Sequence, residues 1–151
     1  ARAALKRGLN VRVEVNTDQP LFVDSVRHEQ KKAVIERIQQ VDIGYLRERN
    51  VAVSVGDYTL ESLCRDLAAG ALVMALISTY LFDGIRAPHW VLICAADDDF
   101  VYINDPDYDT LPWQSPTERQ YLPIPVKTFS KAFGYGGKKQ KAAVILSVKN
   151  R

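Results

Sequence analysis

The run from residue 89 to 105 constrains the fold more than any other part of the chain: HWVLICAA, then DDD, then FVYIND. Two apolar segments of strand length are joined by three aspartates, and short acidic turns between such segments favour a β-hairpin. A hairpin commits its neighbours to antiparallel pairing. Other strand signals agree with it. NVRVEVN at 10–16 alternates Val11, Val13 and Val15 with polar residues, the period of a half-buried strand. ALVMALIS at 71–78 is continuously apolar, as in a strand covered on both faces. VAVSV at 51–55 reads as a short edge strand, and YLPIPV and the closing KAAVILSV complete the set.

Helical patterns fall between them. AALKRG near the start resembles a last helical turn closed by Gly8. Asp24 or Ser25 can cap a helix whose apolar positions Val26, Val34, Ile35, Ile38, Val41, Leu46 and Val51 recur near helical spacing, with Gly44 as an interruption. Thr59 opens a compact helix that carries Leu60, Leu63, Cys64, Leu67 and Ala68 on one face and ends at Gly70. KTFSKAF is helix-like, TYLFDGIRAP is read as a loop, and FGYGG as a turn, since it lacks the spacing of a phosphate-cradling loop. The expected fold class is α+β, with a central, mostly antiparallel sheet and flanking helices.

Composition narrows the functions. The chain has 151 residues, 47% of them hydrophobic, enough for one domain with a core. Its formal charge of +2 and its single basic cluster, GGKKQK, argue against a nucleic-acid partner. No apolar run reaches the ~18 residues that span a membrane. Two cysteines without CxxC or Cys/His spacing point to a reducing, cytoplasmic setting and to no metal or other cofactor. The chain opens without methionine on what reads as the tail of a helix, so residues 1–151 are expected to be one domain truncated at its amino end.

The hairpin also places a histidine beside a carboxylate. With the loop at Asp97–Asp99, Ala96 faces Phe100, His89 faces residue 107 and Asp105 faces residue 91. His89 and Asp105 then lie about two positions apart on adjacent strands, within the reach of diagonal neighbours. A carboxylate next to an imidazole fixes its tautomer and stabilises its protonated form, as a general base near neutral pH requires. The plainer alternative is that Asp105 caps the turn before Pro106 while His89 merely begins a strand. A nucleophile is harder to find. Cys94 is five residues from His89 on the same strand, an odd separation that points the side chains to opposite faces roughly 17 Å apart. Cys64 belongs to the apolar stripe of its helix and reads as a core thiol. Ser54, Ser78 and Thr79 occupy no strained Gly-x-Ser-x-Gly turn. His28 reads as a solvated helix residue, and Trp90 should pack on the face opposite His89. Tyr80, Phe82 and Trp113 fall in loops, where they wall a substrate groove or plug the core beneath; Tyr80 and Trp113 are the substrate-binding candidates.

The segments APHWVLICAADDDFVYINDPD, PLFVDSVRHEQKK and YGGKKQKAAVILS carry a resemblance. From about residue 8 to its end the chain resembles the peptidase C39-like family, a branch of the papain-like cysteine peptidases, and looks most like a bacterial subgroup of it. The resemblance implies a papain-like fold, a peptide or protein substrate, His89 as general base and acid, and Asp105 as its orienter, acting with an upstream cysteine. It also exposes a departure. The family's nucleophile lies in a Cys-Gly-Pro segment at a helix start, after a Gln or similar oxyanion donor, and this sequence has no such segment. The expectation is the carboxyl-terminal part of a cysteine peptidase, inactive alone; the alternative is a domain that binds a peptide or protein without cutting it. A chain lacking the nucleophile helix should expose apolar surface and associate with the missing segment or with itself.

Overall fold

The computed structural model describes residues 1–107 and 115–149, and in it the chain is α+β with a seven-stranded sheet. In chain order the elements are α1 (Arg2–Lys6), β1 (Asn10–Val15), α2 (Glu29–Arg47), β2 (Ala52–Val55), α3 (Leu60–Ala68), β3 (Leu72–Ser78), α4 (Tyr80–Asp83), β4 (Pro88–Ala96), β5 (Phe100–Asn104), β6 (Leu122–Pro125), α5 (Val126–Ala132) and β7 (Ala142–Ser147). The sheet order is β2-β1-β7-β3-β4-β5-β6. Every pairing is antiparallel except β1 with β2, which are joined through α2, as a parallel pair requires a crossover.

The hairpin forms because its first turn residue organises the loop. Asp97 Oδ1 accepts the backbone N–H groups of Asp99 (2.9 Å) and Phe100 (2.7 Å), while Tyr102 Oη donates to Oδ2 at 2.8 Å. These bonds, that from Phe100 first, hold the Asp97 carboxyl below its ordinary range. The register differs from the simple expectation at the tip: Ala96 pairs with Val101, not Phe100. A bulge between Ile93 and Ala95 absorbs the extra residue, so Ile93 pairs with Ile103 and Leu92 with Asn104, as the original register requires at the open end.

One face of the sheet is the main core. Val73, Ala75 and Ile77 of β3 pack with Val91, Ile93, Val101, Ile103, Leu63 of α3 and Phe129 of α5. The α3 helix starts where expected, with Thr59 accepting from the Ser62 N–H. Three expectations are corrected. Ser25 does not cap α2: its hydroxyl donates to the Phe22 carbonyl within a 3-10 turn, Val26 is extended, and α2 begins at Glu29 and runs through Gly44. Its apolar positions do not form one buried face either, because Val34, Ile38 and Val41 are exposed while Leu46 is buried. TYLFDGIRAP, read as a loop, contains the short helix α4, closed by Gly84 in the left-handed conformation.

A polar network ties α3 to the sheet on the core side. Arg12 pairs with Glu14 and with Asp66, whose other oxygen accepts from Tyr58 Oη at 2.6 Å. Burial first, and then this bond to Asp66, push the Tyr58 phenol well above its ordinary range. A group whose folded-state pKa is raised contributes fully below its unfolded value of about 10 and loses that contribution as pH rises further. Denaturant titrations above pH ~10 should therefore show stability falling, with Tyr58→Phe reducing the slope by up to about 1.4 kcal/mol per pH unit. Equal slopes for the two proteins would contradict this account.

Candidate active site

His89 is the second residue of β4, on the same face as Val91 and Ile93, since side chains alternate along a strand. Asp105 follows the last residue of β5, on the neighbouring strand. Their side chains meet: His89 Nε2 lies 2.7 Å from Asp105 Oδ1. A carboxylate only accepts, so Nε2 carries the proton and a neutral imidazole keeps its lone pair on Nδ1. Among the described residues nothing hydrogen-bonds to Nδ1. The plainer reading of Asp105 holds at the same time, because Oδ1 also accepts the Asp107 N–H at 2.9 Å and so shapes the turn around Pro106. The two side chains are 24% and 22% exposed, partly withdrawn from water yet open to a substrate.

Both residues line a cavity of about 310 Å³. Its floor is the upper end of the core stripe, Ile77, Val91, Ile103, Leu122 and Ile124, and its rim carries Thr79, Phe82, Asp83, Asp107 and Arg119. The site is thus an apolar trough with a polar end. Arg119 was not singled out from the sequence. It ends a 3-10 turn, Pro116–Arg119, opened by a capping box between Ser115 and Glu118. That S-x-x-E spacing was the available signal.

The other candidates separate. Phe82 reaches the rim, but Tyr80 does not: it stacks with the Arg86 guanidinium, 5.1 Å from the ring centre, and lines an adjacent cavity with Ser78, Arg86 and Tyr135. Trp113 lies outside the described residues. Thr79 lines the trough, yet its hydroxyl donates to the Ile85 carbonyl at 2.8 Å. Ser54 sits on β2 at the far edge of the sheet. His28 precedes α2 as an exposed N-cap residue whose side chain makes no capping bond.

A scan against family models matches residues 1–147 to one described as the Peptidase_C39 like family. The chain belongs to that family. None of the curated proteins and none of the solved structures matches it. Among the described residues of this C39-like chain, no group of three His, Cys, Asp or Glu side chains is placed to hold a metal ion, and no helix is long and apolar enough to cross a membrane.

Neither thiol of the C39-like chain reaches the trough. Cys64 lies on α3, and Cys94 sits at the bulge of β4, its Sγ 3.8 Å from the Leu92 carbonyl. Burial pushes both thiols up, for Cys94 against an opposing contribution from the Asn104 backbone. A raised pKa means less thiolate at neutral pH. Alkylation by iodoacetamide at about pH 8 should accordingly be slower at both than for free cysteine. A site that reacts faster than free cysteine would mark an activated thiol and a candidate nucleophile within the chain.

Proposed function

We propose that this chain supplies the base and its orienting carboxylate to a C39-like cysteine peptidase or amide hydrolase, acting on a peptide or protein. The carrying observation is the 2.7 Å bond between His89 Nε2 and Asp105 Oδ1 on the wall of an apolar trough. In this reading a thiolate from a segment outside residues 1–151 attacks the scissile carbonyl. His89 takes the thiol proton on Nδ1 and returns it to the leaving amine, while Asp105 keeps the imidazole in the required tautomer and stabilises the imidazolium. The apolar floor beside the dyad suits a substrate held away from bulk water. The exposed Val34, Ile38 and Val41 support association with a further segment or a second copy.

A second reading follows from the position and raised pKa of both cysteines: a C39-like domain that grips a peptide or protein without cutting it. The residues encoded before Ala1 separate the two, since a Cys-Gly-Pro segment at a helix start favours the peptidase. For the isolated 151-residue chain, incubation with fluorogenic peptides should give no turnover. Hydrolysis abolished by Cys64→Ala would overturn the proposed division of roles.

A further inference from the structure

We infer that Arg119 is a positioning residue for the dyad, holding Asp105 so that one carboxylate oxygen faces the imidazole. The inference rests on the dyad reading above and adds the group that acts through it. Asp105 lies just beyond β5, where ladder hydrogen bonds no longer define its backbone. Arg119 supplies what the ladder does not. Its carbonyl accepts the Asp105 N–H at 2.9 Å, and its Nη1 lies 3.8 Å from Asp105 Oδ2 and 3.8 Å from Asp107 Oδ2. The guanidinium therefore sits beside the oxygen that does not face His89, while the oxygen that does is held by the Asp107 N–H and His89 Nε2. With the main chain bonded and a cation beside the second oxygen, rotation of the carboxylate away from the imidazole is opposed.

Arg119 is itself set in place from both sides. The Ser115–Glu118 capping box defines the turn before it. Two residues after it, Tyr121 holds a left-handed backbone (φ 52°), with its N–H donating to Asn104 Oδ1 at 2.8 Å. A non-glycine residue in that conformation costs about 1 kcal/mol or more and persists only where its surroundings impose it. The 119–121 segment is thus bonded to residues 104 and 105 in succession, next to the dyad.

The test is ¹⁵N NMR of the two imidazoles in the full 151-residue chain, with exposed His28 as the internal control. In the unsubstituted protein, neutral His89 should show the Nε2–H tautomer and a downfield Nε2–H proton protected from exchange. Arg119→Ala should mix the tautomers and speed exchange of that proton about tenfold, the effect of one weakened charge-assisted hydrogen bond. Arg119→Lys should fall between, because an ammonium keeps the charge without the planar fork; His28 should not change in either. Unaltered His89 signals in Arg119→Ala overturn the positioning role. If that variant fails to fold, as its amide spectrum would show, Arg119→Lys decides: an intermediate signature supports the role and an unaltered one rejects it. Absence of the Nε2–H tautomer from the unsubstituted protein rejects the dyad reading itself, a different failure from an insensitive Arg119.

Discussion

Under the proposed function, replacing His89 with alanine is expected to lower kcat/KM for peptide hydrolysis by about a thousandfold or more wherever the chain is paired with a nucleophilic cysteine. The loss should fall on kcat, because an imidazole that moves a proton in the transition state contributes little to holding the substrate beforehand. Asp105→Asn should cost nearly as much without changing the fold. A carboxamide can turn its NH₂ toward the ring nitrogen, which then favours the tautomer that leaves Nδ1 protonated and unable to accept. Steady-state kinetics on one peptide series would decide. Retention of more than about a tenth of the activity in His89→Ala is incompatible with general-base catalysis by this residue.

The second large effect is structural and lies beneath the dyad. Phe129→Ala should destabilise the chain by about 3–5 kcal/mol, a large share of the 5–15 kcal/mol typical of a domain. Phe129 is 1% exposed, stacks on Phe133 with centroids 5.7 Å apart, and joins the core formed by β3, β4 and β5. Phe133 in turn bridges to Ile77, the strand partner of His89. The cavity left by the missing ring would therefore open close to the site, with few flexible groups to fill it. Urea unfolding followed by far-UV circular dichroism measures the loss. A change below about 1 kcal/mol would mean that α5 contributes little to this core.

The hairpin shows how much of the site could be read from the chain and where reading stopped. The reach between His89 and Asp105 was legible because strand register needs only the loop length and a count of residues. The tip register was off by one, and the bulge at Cys94 cancelled that error before the dyad. Cys94 is the residue left unpaired at that bulge, and it does not line the trough. Helix α3 was legible through Thr59 and its apolar spacing. The start of α2 was not, since Ser25 had a competing partner in the Phe22 carbonyl that no capping pattern announces.

What the sequence determined by itself is local: the strands, the acidic turn that closes the hairpin, the fold class and the pairing of a histidine with an aspartate. These follow from side-chain period and from groups a few residues apart, whose geometry the backbone sets at once. The tertiary structure decided the rest. It placed the last strand between β1 and β3, sent Tyr80 to a cavity apart from Phe82, left Val34, Ile38 and Val41 exposed, and brought Arg119 against Asp105. Each of those outcomes depends on which distant surfaces pack together, and that choice is made by burial of the whole core rather than by any pattern along one segment.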